Sequence, residues 1–284
     1  MQSEQFQLHA TIEERHWWFV GRRRILRRVI NAVLPPSRQT TIVDVGCGTG
    51  ANVASLADQY SCIGIDTSSE AVRLAAGRFP QVRFVCGAAH EMPEILAQAQ
   101  LVMLTDVLEH VSDDFQLLSE LLAVTKPGTY FLITVPADPG LWSEHDRSFG
   151  HYRRYEAPRL ERVWDGLPIT PVFVSHFNSR LYPAVKAVRG WNRWRGQALG
   201  AAGTDFVMPW APTNWLLTQM FAGESRKLSA LAKGNRRTTY PAGVSLMALV
   251  RREAGPIEPR HKPAYLASDM FDPVAEQLAE PVAV

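Results

Sequence analysis

From residue 40 onward, short runs of β-branched and apolar residues alternate with stretches of helical periodicity. Buried strands are predicted at 41–45, 62–66, 82–86, 101–104 and 130–135, and helices at 51–59, 70–78 and from about 112. Strands that alternate with helices through short loops indicate a mostly parallel sheet with both faces covered. We therefore expect an α/β, doubly wound fold.

The alternation breaks after Pro136, and the remaining segments extend the expected architecture. Segments 170–177 and 243–250 are strand-like and are predicted to pair as an antiparallel edge, which gives a seven-stranded, Rossmann-like sheet. The predicted units are an N-terminal helical lid (1–36), a core (37–177 and 241–252), a helical aromatic cap insertion (178–240) and an irregular C-terminal tail (253–284).

Composition excludes several classes of protein. The 284 residues carry a formal charge of +2, with 46% hydrophobic and 20% charged residues, as in an ordinary globular protein. Such a balance provides no whole-molecule field for capturing nucleic acid, so no nucleic-acid partner is expected. Cys47, Cys62 and Cys86 lie within predicted strands and turns, which favours reduced thiols. No basic-then-apolar leader or long apolar run is present, so we expect a cytoplasmic location without a membrane span.

A glycine-rich turn lies where the first predicted strand passes into a helix. Gly46, Gly48 and Gly50 allow unusual dihedral angles and the close approach of a ligand to bare backbone. Ligands of open α/β sheets bind at the carboxyl ends of strands, commonly at the first such turn. Asp66 closes the next strand, 22 residues after Asp44, where a carboxylate can accept both hydroxyl protons of a ribose. The spacing predicts a nucleoside cofactor.

The same turn indicates which nucleoside binds. A dinucleotide site would read G-x-G-x-x-G, whereas these glycines fall at 46, 48 and 50. The acidic Asp44 also disfavours a pyrophosphate at the helix N-terminus but suits a cation. S-adenosyl-L-methionine has a sulfonium and an ammonium group and no phosphate, so it is the predicted cofactor. A nicotinamide dehydrogenase is the weaker alternative.

Five segments in order extend this prediction to a family: 43–50, 64–66, 84–93, 101–111 and 126–128. With them the chain resembles a class I S-adenosylmethionine-dependent methyltransferase from about residue 12 to 155. The resemblance implies a set of cofactor-binding residues: Trp18, Arg22, Asp44, Gly46, Cys47, Gly48, Gly50, Asp66, Thr67, Ala88, Ala89, Asp106 and Val107.

The resemblance also assigns roles within that set. Asp44 should face the ammonium, Asp66 the ribose, and Asp106 should border the transferable methyl group. Many members carry an Asp in the adenine-side loop, but this chain has Ala88 and Ala89, so backbone contacts to adenine are expected.

The N-terminal segment around residues 13–24 resembles the lid of the same family. Its tryptophans would close over the cofactor and exclude water. Arg22, Arg23 and Arg27 have alternative interpretations, as a solvated helix face, a carboxylate contact, or a patch attracted to anionic lipid or RNA.

The turn after the fourth strand places Asp106, Glu109 and His110 together. It resembles the divalent-metal turn of ubiquinone-biosynthesis O-methyltransferases, but the same pattern is common in methyltransferases without metal, where the His is a wall of the pocket. The wall interpretation is favoured, and no metal is expected.

The loop over 142–155 is the second source of candidate catalytic residues. His151 is the preferred general base, because an imidazole titrates near working pH, with Asp106 and His145 as further candidates. Arg153 and Arg154 are predicted to pair with an anionic substrate. The segment Gly150–Tyr155 resembles the Gly-His-x-Arg-Arg-Tyr stretch of bacterial methyltransferases from cell-surface glycan and natural-product pathways.

The predicted activity is methylation of a small molecule or saccharide, at oxygen in the first instance. Residues 105–108 lack the Asn/Asp-Pro-Pro-Tyr pattern associated with many N-methyltransferases, while C- and S-methylation stay open, as does a non-catalytic binding module. Core packing is the favoured explanation of the aromatic cap, and an apolar acceptor, a homodimer contact, or peripheral contact with a membrane that supplies a lipid-linked substrate are the alternatives.

Overall fold

A computed structural model describes residues 3–195, 207–235 and 239–257. Seven strands form one sheet in the order β3-β2-β1-β4-β5-β7-β6. The strands are β1 Ser37–Val45, β2 Tyr60–Asp66, β3 Arg83–Cys86, β4 Leu101–Thr105, β5 Tyr130–Pro136, β6 Ile169–Phe177 and β7 Ser245–Arg252.

Eleven α-helices accompany the sheet in the described part of the chain. They are α1 Ser3–Ile12, α2 Trp17–Val33, α3 Ala51–Ala54, α4 Ser69–Arg78, α5 Pro93–Leu96, α6 Asp114–Val124, α7 Glu144–Ser148, α8 Ala157–Glu161, α9 Tyr182–Arg195, α10 Ala211–Ala222 and α11 Ser225–Ala232. None of the described helices is long and apolar enough to cross a lipid bilayer.

The doubly wound fold is confirmed. β1 to β5 run parallel, whereas β7 runs antiparallel to both β5 and β6, so the antiparallel strand lies beside the edge strand β6. Pro171 falls where the register of β6 shifts, and an edge strand tolerates the missing ladder donor of a proline. β1 lies between β2 and β4, and this reversal of strand order is where open α/β sheets bind ligands.

Two apolar layers cover the sheet. One contains residues of α5, α6 and α8, and the other contains residues of α2, α10 and α11. Ile25, Leu26, Val29 and Ile30 form the buried stripe of α2, as an amphipathic helix requires. Gly21 lets α10 approach α2, because a Cβ there would lie 2.6 Å from Phe221 Cδ1. The segment between β6 and β7 thus shares the core of the sheet through α10 and α11.

Some predicted element boundaries were wrong. The helix expected over 51–59 ends at Ala54, after which tight turns, such as that from Leu56 N–H to the Val53 carbonyl, lead into β2. Residues 157–164 form α8 followed by a 3₁₀ turn at Arg162–Trp164. The predicted irregular tail lies outside the described residues from 258 onward.

The buried carboxylate of Asp114 holds the 142–155 loop against the sheet. It accepts hydrogen bonds from the Tyr155 hydroxyl at 2.8 Å and from the guanidiniums of Arg159 and Arg153 at 2.9 and 3.4 Å. Arg153 also donates to the backbone carbonyls of Val111 and Ser112. The cluster is buried, so each charge depends on its partners for solvation.

Replacing this carboxylate is therefore expected to be costly. Asp114→Ala leaves two buried guanidiniums without their shared acceptor and should lower the free energy of unfolding by about 3–5 kcal/mol, measured by urea denaturation. The neighbouring Asp113 caps α6 by accepting the Gln116 N–H, so Asp113→Ala is the matched control, with an expected loss of about 1 kcal/mol. Equal losses in the two variants would contradict this account.

Candidate active site

A cavity of about 440 Å³ opens at the carboxyl ends of β1, β4 and β5, the size of a small-ligand site. Its wall contains eight of the residues predicted from sequence: Trp18, Arg22, Gly46, Cys47, Gly48, Asp106, His145 and His151. The other predicted residues lie outside this wall and stay predictions: Asp44, Gly50, Asp66, Thr67, Ala88, Ala89 and Val107.

The glycine turn supplies one side of the cavity. Gly46, Gly48 and Gly50 have φ angles of +72°, +53° and +86°, in the region that favours glycine. A Cβ at Gly46 would lie 2.7 Å from Val107 Cγ2, so close packing also requires glycine there. A Cβ at Gly48 would meet nothing within 4 Å, so this backbone faces open space and a ligand can lie against it.

Asp66 links this turn to the neighbouring strand. Its Oδ2 accepts the Gly48 N–H at 2.8 Å, and its Oδ1 accepts the Ser68 N–H at 2.8 Å. The end of β3 joins the same corner, because Gly87 N–H donates to the Asp66 carbonyl. The three segments that the resemblance assigns to methionine, ribose and adenine are thus neighbours.

Asp44 lies beneath the turn, fully buried, and neither of its carboxyl oxygens has a hydrogen-bond partner among the described residues. Burial raises the pKa of Asp44 to about 8, against the opposing charge of Arg22 and with a further contribution from Asp66. Burial likewise raises the pKa of Cys47, so this residue stays a thiol. An uncompensated buried carboxyl beside open backbone fits a ligand that carries an ammonium group.

Arg22 brings α2 over the cavity. Its guanidinium forms an ion pair with Asp106 and lies 4.2 Å from the centre of the Trp18 ring. Asp106 has a φ of 59°, an uncommon conformation for a residue other than glycine, and its Oδ1 accepts the Thr134 hydroxyl at 3.0 Å. The side chain of Arg22 is buried, so the favoured interpretation as part of a solvated helix face does not hold for this residue, and its role in cofactor binding stays a prediction.

The turn between α1 and α2 also contacts the core, through Glu13. Glu13 is buried, accepts the Thr49 hydroxyl at 2.7 Å and pairs with Arg78. Sequence reasoning missed this contact between the segment before α2, the glycine turn and α4. Glu13 belongs to the segment that resembles a lid, but no local sequence pattern relates it to Thr49 and Arg78, which lie 36 and 65 positions away.

The loop over 142–155 contributes a hydrogen-bonded imidazole. His151 Nδ1 lies 3.0 Å from Asp146 Oδ1, and Arg154 donates to both oxygens of the same carboxylate at 2.9 and 3.1 Å. Burial alone would raise the pKa of Asp146, but Arg154 and then His151 hold it well below its usual range. The ionised carboxylate orients the ring and leaves Nε2 as the nitrogen that can accept a proton.

The expectation that Arg153 and Arg154 bind an anionic substrate was wrong. Both side chains are buried, and their donors are taken by Asp114, Asp146 and backbone carbonyls, including that of Ala137. Runs of charged residues are usually exposed, so sequence alone gave no sign that this one lies inside the fold.

Glu109, His110 and His145 complete the polar wall. Burial, and secondarily Asp106, raises the pKa of Glu109 well above its usual range, and neither carboxyl oxygen has a hydrogen-bond partner in the described chain. Burial lowers the pKa of His110 well below its usual range and that of His145 to about 3. The two imidazoles are therefore neutral at physiological pH, and burial favours the protonated form of Glu109.

The side chains of the turn that resembles a metal site do not come together as the set Asp106, Glu109 and His110. Asp106 pairs with Arg22, and the atoms that approach one another belong to Glu109, His110 and His151, within 4.8 Å of each other. The His110 and His151 rings are in edge contact with centres 4.6 Å apart. His110 therefore lies in the wall of the cavity, as the favoured interpretation requires.

Comparison with known proteins agrees with this geometry. Residues 42–128 match the family model described as a methyltransferase domain. Trans-aconitate 2-methyltransferase of Azoarcus sp. is 24% identical over 202 residues, which cover 70% of this chain and 77% of that one. A Mycolicibacterium smegmatis protein named probable S-adenosylmethionine-dependent methyltransferase is 28% identical over 126 residues, 44% of this chain.

The alignment spans only about half the length of the M. smegmatis relative, 48%. Among solved structures, the protein in complex with the Trm112 methyltransferase activator of Haloferax volcanii has a TM-score of 0.53 at 17% identity, covering 88% of this chain and 98% of that one. This likeness shows the shared fold.

The ribose assignment of Asp66 is testable by binding. Asp66→Ala should weaken S-adenosylmethionine affinity about 5- to 150-fold, or about 1–3 kcal/mol, because the ribose hydroxyls lose their acceptor. Isothermal titration calorimetry measures the change. Asp58→Ala is the matched control, since Asp58 is exposed and pairs with Arg27 at the surface. Unchanged affinity in Asp66→Ala would remove Asp66 from the ribose site.

The raised pKa of Asp44 predicts a proton linkage. At pH 7 a carboxyl group with a pKa of about 8 is mostly protonated, and a nearby ammonium group favours its ionised form. Binding of S-adenosylmethionine at pH 7 should therefore release up to about one proton, seen as a dependence of the calorimetric heat on buffer ionisation enthalpy. Asp44→Asn should abolish the release, and Asp58→Asn should retain it. Equal release by wild type and Asp44→Asn would exclude this role.

Proposed function

We propose that this protein, whose residues 42–128 match the model of a methyltransferase domain, uses S-adenosylmethionine to methylate a hydroxyl group of a neutral small molecule or saccharide. The observation that carries the proposal is the Asp146–His151 pair in the wall of the cavity that also contains the open backbone of Gly48. A relative named for methylation of trans-aconitate supports a small-molecule acceptor.

S-adenosylmethionine supplies an electrophilic methyl group on a sulfonium, which leaves as a neutral thioether. This chain has to hold the acceptor in line and remove its proton. Asp146 fixes the His151 ring through Nδ1, so Nε2 accepts the hydroxyl proton as the oxygen–methyl bond forms. Arg154 keeps Asp146 ionised, and the resulting imidazolium is stabilised by that carboxylate.

The rest of the wall fits a neutral, hydroxylated acceptor. Burial favours the protonated form of Glu109, which can donate a hydrogen bond, and the neutral rings of His110 and His145 can donate or accept. The guanidinium of Arg22 is paired with Asp106, and that of Arg154 with Asp146. Arg189, the third guanidinium in the described wall, donates to the Leu141 carbonyl, so the cavity offers many hydrogen-bonding groups while two of its three guanidiniums are neutralised by carboxylates.

The lid contributes exclusion of water. Trp18 lies in the wall and stacks on Arg22, whose ion pair with Asp106 joins α2 to the end of β4. Methyl transfer to water is thereby suppressed while the acceptor is aligned.

The base assignment is tested by substitution at His151. His151→Asn should lower the rate of S-adenosylhomocysteine release with a hydroxylated acceptor by at least about 100-fold, with cofactor affinity unchanged by calorimetry. His90→Asn is the matched control, since His90 pairs with Glu120 outside the cavity wall. The acceptors are a panel of neutral polyols and phenols, with trans-aconitate as the anionic comparison.

The pH profile separates the two candidate imidazoles. His145, with a pKa of about 3, is neutral throughout the range above about pH 4, so His145→Asn should leave the acidic limb of kcat/KM in place. His151→Asn should instead lower kcat/KM over the whole range. Full activity of His151→Asn, or turnover restricted to a carboxylate acceptor that has no proton to lose, would overturn the assignment, and failure of the wild type to bind S-adenosylmethionine would overturn the function.

A further inference from the structure

The apolar surface of the protein is concentrated in one segment. In the described chain, every large hydrophobic side chain that is exposed falls between residues 188 and 216: Val188, Trp191, Val207, Met208, Trp210, Trp215 and Leu216. Trp210 is 77% exposed and Trp215 is 64% exposed, values that are far from those of core packing. We call these seven residues the apolar patch. Concentration of this kind marks an interaction surface.

The patch is held in place by polar contacts. Asn214, beside Trp215, accepts the Trp17 N–H through Oδ1 at 2.8 Å and donates to the Arg15 carbonyl through Nδ2 at 2.8 Å. Further along α10, Thr218 and Phe221 are buried against α2. The exposed beginning of α10 therefore belongs to a helix that is packed on the core.

The charge of the segment that contains the apolar patch indicates which kind of partner the patch binds. Residues 179–223 contain five basic residues and one acidic residue, whereas the whole chain has a formal charge of +2. The basic side chains include the exposed Lys186 of α9, whose ammonium lies 3.3 Å from Asp138 Oδ2, and the half-buried Arg189, next to Val188. Four of the eight tryptophans also fall in this segment. Exposed tryptophan combined with local positive charge is complementary to the interface of an anionic lipid bilayer.

The patch is continuous with the mouth of the cavity. Val188 and Val207 are exposed and also line the cavity, together with Val185 and Leu217. Arg189 lies in the same wall and donates to the Leu141 carbonyl at the start of the catalytic loop. A bilayer that covers the patch would thus lie against the entrance through which an acceptor arrives.

We propose that the apolar patch docks the protein peripherally on anionic membranes and orients the cavity mouth toward the lipid, so that the acceptor is amphiphilic or lipid-linked. The nature of the acceptor rests on the proposed function, but docking does not. Tryptophan rings enter the headgroup region, and the basic side chains of α9 lie against anionic headgroups. Both contributions are measurable without cofactor or acceptor.

The test is sedimentation of the full chain with vesicles of phosphatidylglycerol and phosphatidylcholine, compared with phosphatidylcholine alone. The wild type should bind the anionic vesicles preferentially and lose affinity at high salt, because exposed charges are screened. Trp210→Ser/Trp215→Ser should lower the partition coefficient at least tenfold. Trp210→Phe/Trp215→Phe is the matched control and should stay within about threefold of wild type, since it keeps an aromatic ring at each position.

Three outcomes would overturn the proposal. The first is failure of the full chain to bind anionic vesicles. The second is equal binding by the wild type and the serine pair. The third is equal binding of the wild type to both kinds of vesicle, unaffected by salt. A dimer of the wild type that dissociates in the serine pair, seen by analytical ultracentrifugation without vesicle binding, would make the patch a contact between copies of this chain.

A folding control separates docking from the proposed function. The serine pair should bind S-adenosylmethionine within about twofold of wild type, because neither tryptophan lines the cavity. If vesicle binding persists while the wild type fails to bind S-adenosylmethionine, the surface stands and the proposed function falls. If the wild type and the serine pair both bind S-adenosylmethionine but the wild type does not bind vesicles, the docking proposal is wrong and the proposed function is unaffected.

Discussion

The hydrogen bond from Gly48 N–H to the Asp66 carboxylate is the contact around which the site is arranged. It joins the turn after β1 to the end of β2, and it forms only because glycine tolerates a φ of +53° at that position. The same backbone is open on its other side, so the turn has a fixed shape and an exposed face. A ligand that binds there meets a preorganised backbone surface and does not have to order a loop.

Ion pairs between buried or partly buried side chains fix three elements around this turn. Arg22 reaches Asp106 across 84 residues, Arg78 reaches Glu13 across 65, and Arg154 holds the Asp146 carboxylate that contacts His151. Buried pairs of this kind contribute little net stability compared with apolar packing, but losing one partner is expensive. They therefore specify a single arrangement of lid, turn and loop, which a reaction that depends on alignment requires.

The sequence predicted the features that depend on interactions between residues close together in the chain. The alternation of strands and helices, the glycine turn and the acidic end of β2 are set by dihedral angles and by short-range periodicity, and these were predicted. The roles of Arg153 and Arg154 were predicted wrongly, because their acceptors, Asp114 and Asp146, become neighbours only when the chain folds. The pairing of His151 with Asp146 depends on a five-residue turn whose geometry no spacing rule specifies.

The chemical character of the cavity and the exposed surface beside it constrain each other. A wall that contains Glu109 and the neutral rings of His110 and His145 offers hydrogen-bonding groups, yet Val185, Val188 and Leu217 line the same cavity toward the patch. A small polar acceptor would leave those aliphatic side chains in contact with water during the reaction. An acceptor with a polar head and an apolar remainder satisfies both regions at once, and it would partition into the same lipid interface that the exposed tryptophans favour. The division of the cavity into a polar and an apolar part therefore argues for an amphiphile independently of the charge of the cap.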